Sequence, residues 1–431
     1  MSVNIRTPIL VAAVAALSVG LCSEALAGGF SNPDMGGRRM GMFSVMGKPD
    51  DVTAIFHNPA GMILLDGTQF YHSQSWFIIE LGMRMYDSDG VLHPDKEIEP
   101  DWNIGWLPFI GATTDFGTER FRLGAAVYAP NAYGARLPQD SPTRYHVTEA
   151  LFLAGRASLA AAYRLSDHFT LGASADVLYV HLMAKRAMNL KVLNDPDQRF
   201  GDLDELAKTD SVLDITGNDV TYAWNIGLLF EPTDHLGIGF GFASGSPIAL
   251  EGPVTLTGPD GVKQETTQHT TMTIPLTLRA GFNWEFARNF ELGADVFYWH
   301  YQVLQEQRTE LQEPLMGLTG FVDPKNYGNS WAWNVGMLYR IVPTVELMLG
   351  FQQDFTPIPT RTYTLDNPSR DQFGISLGTR WQVSESVRLG LAMVRNWFEL
   401  ADVQDSMSTP PSNVKGHAAN FEAAFDITWK L

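Results

Sequence analysis

Residues able to do chemistry are thinly scattered through the 431 positions of the chain. The stretch Gly172 to Asp176, GASAD, sets Ser174 two places before a carboxylate, the residue types of an acyl-transfer nucleophile. It lacks the closing glycine of a nucleophile elbow, however, and falls inside an alternating run where a strand is expected, not a strand-to-helix turn. The ten histidines show no HExxH or comparable spacing, so no metal and no cofactor is implied. Asp195 to Leu206, DPDQRFGDLDEL, has the acid density of a calcium loop, but Arg199 occupies an oxygen-ligand position and Gly201 comes one place late. It is expected to be a solvated loop in which Asp202 caps a short helix. Gly237, Gly239 and Gly241 recur at every second residue and therefore share one strand face; they mark a thin wall that something approaches closely, not a phosphate cradle.

The charges show a pattern of their own. Arg156, Asp176, Arg186, Arg279, Asp295, Arg340, Arg380 and Asp426 all fall on the polar face of alternating segments. Most are expected to pair with one another or with a plug. Arg156 and Arg186 are the candidates for holding an anionic head group, because a guanidinium forks a carboxylate well.

The elements that would position these residues follow from a period of two that begins near Thr68. Phe421, Phe425, Ile427 and Trp429 alternate with Asn420, Glu422, Asp426 and Thr428, and Phe373, Ile375 and Leu377 alternate with Gly374, Ser376 and Gly378. One wall is apolar and the other polar or tiny, the mark of a strand between two different media. Short turns fall at 116–119, 166–167, 232–234, 287–289, 342–343 and 384–385. Between them lie long polar or Pro/Gly-bearing segments at 86–101, 131–142, 191–217, 250–265, 306–328, 357–369 and 401–415. Short and long connections alternate throughout, which predicts fourteen antiparallel strands. That is the layout of an all-β, 14-stranded transmembrane β-barrel with short periplasmic turns and long outer loops. Past the leader no run of about 18 apolar residues could form a spanning helix, so a membrane location requires a closed barrel. Trp284, Phe286, Trp299, Tyr301, Trp397, Phe398 and Trp429 are expected in the interfacial girdles. Ala129-Pro130 interrupts the third strand, since proline offers the ladder no N–H; either the strand ends there or it kinks and opens the wall.

Residues 1–27 form a secretory signal peptide: Arg6, an apolar stretch from Ile9 to Leu21, and Ala25-Leu26-Ala27 as the cleavage site. Cys22 is the only cysteine and would leave with the leader, which excludes thiol catalysis and cysteine metal sites. The net charge of -18 argues against a nucleic-acid partner. Asp50 to Met62, DDVTAIFHNPAGM, does not alternate. Asn58-Pro59 forbids ladder pairing and favours a turn, Gly61 allows close backbone approach, and Val52, Ile55, Phe56 and Met62 offer apolar anchors.

GGF at 28–30, GGRRMGM at 36–42 and this DDVTAIFHNPAGM resemble the N-terminal hatch of the FadL/TodX-type outer-membrane transporters of long-chain fatty acids and other hydrophobic compounds. The resemblance implies a barrel over 68–431 plugged by a hatch over 28–67, in which Asp50, Asp51, Asn58, Pro59, Ala60 and Gly61 form the hatch motif. It further implies capture near the outer loops, an internal pocket approached by Gly28, Gly29 and Phe30, and sideways release through a third-strand kink at Ala129-Pro130. The chain is then expected to be a monomer in the outer membrane of a Gram-negative bacterium, a passive channel and not an enzyme. Its partners would be hydrophobic small molecules, outer-membrane lipid and lipopolysaccharide. The barrel assembly machinery would engage its C-terminal strand, although that strand ends in Leu431 and not in Phe or Trp. The rival expectations are a polar-solute porin, an outer-membrane lipid hydrolase with a Ser/His pair on an outer strand face, and a structural barrel.

Overall fold

The alternation from Thr68 onward is converted into a wall whose two sides meet different surroundings. A computed structural model describes residues 29–94, 97–101, 104–315 and 317–431. Nineteen strands form one sheet among them. They are β1 (Thr68–Met85), β2 (Ile104–Thr114), β3 (Phe121–Arg136), β4 (Glu149–Ser166), β5 (Phe169–Met188), β6 (Ser211–Thr233) and β7 (Leu236–Ala243). Next come β8 (Ser246–Thr257), β9 (Lys263–Ile274), β10 (Thr277–Ala287), β11 (Phe290–Trp299), β12 (Glu306–Leu315) and β13 (Leu318–Pro324). The last are β14 (Ser330–Val342), β15 (Val345–Asp354), β16 (Gln372–Gln382), β17 (Val387–Phe398), β18 (Ala401–Val403) and β19 (Val414–Lys430).

Fourteen of these make the wall, in the circular order β1 to β7, β10, β11, β14 to β17 and β19, every neighbour antiparallel. The ladder from Gln69↔Lys430 to Met85↔Val414 joins the last strand to the first and closes the wall. Residues such as Leu159, Leu171, Leu377 and Leu391 are exposed on the outside, while Ser158, Ser174, Asn225, Glu422 and Asp426 are buried inside. The polar side of the alternation is therefore the interior, as a lipid-facing barrel requires.

Two sequence expectations are corrected. Segments 250–265 and 306–328 are not irregular loops: β8 pairs with β9, and β12 with β13, as hairpins above the wall, with β8 laddered to β6 and β12 to β9. Their Thr- and Val-rich alternation buries Leu250, Val254, Leu256, Met272 and Ile274, so they satisfy the strand pattern without reaching the membrane. β3 likewise runs on past Pro130 to Arg136 because β4 still supplies a partner, and β6 begins at Ser211, inside the segment expected to be loop. The second correction concerns Trp299 and Tyr301, which lie inside the barrel, 3% and 0% exposed, instead of in a girdle. An aromatic at a strand end looks the same in sequence whichever way it points.

Inside the wall sit residues 29–67, with short helices at Gly37–Met42 and Ala54–His57 and a 3-10 turn at Pro59–Leu64. Most of their side chains are fully buried.

Candidate functional site

The buried N-terminal segment is fixed to the wall from the backbone outward. A Cβ added at Gly239 would lie 1.8 Å from the Met46 carbonyl oxygen, at Gly237 2.1 Å from that of Gly47, and at Gly172 2.2 Å from the Ala60 nitrogen. The glycines that marked a thin wall in the sequence are thus where segment backbone lies against strand backbone. Polar bonds complete the attachment. Asp295 accepts from the Val45 N–H at 2.7 Å, and Arg279 donates to the Phe56 and His57 carbonyls at 2.7 and 3.0 Å. Each is a charged group hydrogen-bonded to backbone in a buried place, the arrangement that costs most to break.

The motif residues act in the same structure. Asn58 Oδ1 accepts from the Ala60 N–H at 3.2 Å and so caps the turn that Pro59 starts, while its Nδ2 donates to the Leu228 carbonyl at 3.1 Å. Asp51 accepts from the Thr53 N–H at 2.9 Å. Asp50 pairs with Arg380 at 2.7 Å and with Arg38 at 3.4 Å, and Arg38 continues to Glu291 at 2.8 Å. Burial alone would raise the Asp50 pKa; the two guanidiniums overcome that and hold it well below the ordinary carboxylate range. Gly61 leaves no room for a side chain, since a Cβ there would meet Pro49 Cγ at 1.9 Å. His57 is buried with its Nε2 2.9 Å from the Met35 carbonyl, and burial lowers its pKa to about 3, so it stays neutral.

Toward the outer side the attachment thins. Gly28 lies outside the described residues. Gly29 has φ +71° and faces the Tyr301 ring, where a Cβ would come within 2.7 Å. The Phe30 N–H donates to the Tyr301 hydroxyl at 3.1 Å, and the Phe30 ring packs on Tyr301 and Phe152, both at 5.3 Å, and on Tyr133 at 6.5 Å. The Asn32 N–H donates to the Pro130 carbonyl at 2.7 Å, and Ser31 bridges to Asn131. At this height the pairing of β3 with β4 slips between Tyr128 and Asn131, passing over Ala129 and Pro130.

Cavities lie on both sides of Phe30. Above it, a cavity of about 260 Å³ is lined by Tyr133, Leu182, Arg186, Leu213, Ile215 and Lys325 among others. Below it, one of about 30 Å³ touches Ser31, Asn32, Pro130, Arg156, Arg279 and Trp299. The two arginines singled out in the sequence are therefore not brought together. Arg156 pairs with Asp176 at 3.4 Å in the lower cavity, whereas Arg186 lines the upper one and donates to the Thr409 carbonyl at 3.4 Å. Lys325 also lines the upper cavity and pairs with Asp323 at 2.7 Å. A third space, about 480 Å³, lies among the outer loops beside Met85, His93, Phe200 and Leu203. Sequence reasoning missed Tyr133, Phe152 and Tyr327, which with Tyr301 make the aromatic surround of Phe30, because alternation along one strand does not tell at what height residues meet and Tyr327 lies outside the strands.

The model of the outer membrane protein transport family (OMPP1/FadL/TodX) matches residues 18–427. Among solved structures, a Pseudomonas aeruginosa FadL homologue aligns with a TM-score of 0.78 at 16% identity, covering 96% of this chain and all of its own. The P. putida toluene transporter TodX aligns at 0.71 with 16% identity over 94% of this chain and 99% of its own. The Ralstonia pickettii toluene transporter TbuX gives 0.66 with 15% identity over 93% and 98%. No curated protein sequence matches the chain.

Proposed function

The chain belongs to the OMPP1/FadL/TodX family of outer-membrane transport channels of Gram-negative bacteria, and from that premise we propose a passive uptake channel for hydrophobic solutes such as long-chain fatty acids. The observation that carries this reading is the sealed floor. A cavity of mixed apolar and polar lining lies on the outer side of the cluster that holds Phe30, sharing Tyr133 and Leu182 with it, and beneath that cluster the lumen is filled by a segment attached through buried polar bonds. A solute that enters from outside has no straight route down.

An apolar solute crosses a lipopolysaccharide leaflet slowly. In this reading it is first caught among the outer loops, where the space beside Phe200 and Leu203 offers apolar surface. It then enters the upper cavity, where burying roughly 330 Å² at about 25 cal/mol per Å² corresponds to the ~8 kcal/mol of micromolar binding. Arg186 is the better placed arginine for a carboxylate head, since Asp176 already neutralises Arg156. Only residues 29–34, held by a few bonds, need shift; the body from Gly36 to Leu65 stays. The solute leaves sideways at Ala129-Pro130 into the bilayer, with no cofactor and no covalent step. The channel acts as a monomer among outer-membrane lipid and lipopolysaccharide, after assembly through its C-terminal strand.

Uptake of radiolabelled oleate by cells making the protein, together with conductance of the purified protein in a planar bilayer, tests the reading. Saturable uptake with little current is expected. A large steady ion current without oleate uptake would establish the polar-solute porin instead, and lipid release abolished by one Ser→Ala change would establish the hydrolase.

A further inference from the structure

The alternation of buried and exposed residues fails in one region of the wall. β3 is buried at every position from Ala129 to Ala135, and β4 at every position from Phe152 to Arg156. A wall strand between lipid and lumen should expose alternate residues, so both faces of these two stretches are covered. One face carries Tyr133, Phe152 and Ala154, which join the cluster around Phe30. The other carries Ala129, Ala132 and Leu153, which pack against Phe77 of β1 and Leu107 of β2. Phe77 points inward, because the adjacent Trp76 and Ile78 are exposed to the outside, and Leu107 shares that face through its pairing with the buried Ser75. Inward side chains of β1 and β2 therefore rest on outward side chains of β3 and β4. The two edges of the wall overlap.

The backbone agrees with this arrangement. The β2–β3 ladder runs from Thr114↔Leu123 to Phe109↔Tyr128 and stops; above it β2 is laddered to β1, and β3 to β4. The next positions in register would set Pro108 against Ala129 and Leu107 against Pro130, so each edge carries a proline that has no N–H to give. Higher up, the Asp101 N–H donates to the Arg136 carbonyl at 2.8 Å and rejoins the edges. The overlap thus has a floor and a ceiling.

Building on the uptake reading above, we propose that this overlap is a side-chain filter, in which Phe77 and Leu107 against Ala129, Ala132 and Leu153 set the width of solute that passes from the lumen into the bilayer. Parting the two edges separates apolar surfaces, and a passing apolar solute covers those surfaces again as it moves. A hydrated solute would have to shed its water to enter the same gap, so the filter rejects it on desolvation alone.

Three proteins test this: wild type, Leu107→Ala and Ala132→Phe, in cells lacking other uptake routes, supplied with radiolabelled oleate as a thin chain and a pyrenyl fatty acid as a wide one. Leu107→Ala should raise the initial uptake rate of the pyrenyl acid severalfold and leave oleate nearly unchanged. Ala132→Phe should slow both, the wide acid more. Equilibrium binding of both acids to the purified proteins should stay at the wild-type level. Opposite signs cannot both come from lost stability, and Leu107→Ala decides alone if Ala132→Phe fails to assemble. Equal uptake by all variants that assemble, or slower uptake by Leu107→Ala, overturns the filter. Import of neither acid by the wild type would instead overturn the uptake reading.

Discussion

Asp50 connects the two parts of the molecule through one carboxylate, with Arg380 on the wall and Arg38 on the enclosed segment, while Arg388 donates to its carbonyl at 3.0 Å. Asp50→Asn would remove one of the two carboxylates paired with each of these buried guanidiniums, leaving Arg38 with Glu291 and Arg380 with Glu346, at a cost on the order of 2 kcal/mol. The expected outcome is a protein that still assembles but shows bursts of open-pore current and faster protease cleavage near residue 50; unchanged current would mean the pair is incidental. The pH dependence has a definite sign. A carboxylate whose folded pKa is depressed contributes fully above its unfolded value, near 3.8, and loses that contribution only as pH falls through the lower folded value. His57, already neutral, adds no transition near 6.5. Neither Asp50 nor His57 should therefore change conductance between pH 7 and about pH 5; an opening in that window that persists unchanged in Asp50→Asn would show that another group controls the seal.

Single strands have consequences of their own. The face of β7 that bears Gly239 is a contact surface for backbone, and Gly239→Val would put a side chain onto the Met46 carbonyl. Because the clash is with backbone and not with a side chain that can turn away, the enclosed segment must lift. Raised conductance in a barrel that remains heat-modifiable on gels is the expected result. In β3, Pro130 both lacks a donor and holds Asn32 through its carbonyl. Pro130→Ala restores a donor to the strand and should lower solute uptake while leaving the folded barrel heat-modifiable; unaffected uptake would remove the sideways exit. The turn positions and the strand count were legible in the sequence because each turn interrupts a period of two at a fixed place. The loop hairpins were not, since the apolar face of β8, with Ile248, Leu250, Val254 and Leu256, is interrupted by Pro247, Gly252 and Pro253, which read as loop, and its partner β9 is rich in Thr and Gln.

Over the whole molecule the closed wall and the filled lumen are separable. Deleting residues 28–64 removes the filling and none of the ladder pairs that close the wall, so steady conductance should appear with the barrel intact. Loss of the barrel itself would show that the wall needs its contents to assemble. The sequence alone determined that the chain alternates, how many strands the wall has, that one face is apolar, and that DDVTAIFHNPAGM belongs to none of the strands. Those are local properties: a strand's faces and a proline's missing donor are fixed within a few residues. Only the tertiary structure decided that Gly239 receives Met46, that Arg156 and Arg186 serve different cavities, that Tyr301 points inward onto Phe30, and that β3 slides behind β2. Each of these depends on the height at which residues far apart in sequence meet around a closed barrel. That height is set by the register of all fourteen strands together, which no single strand carries.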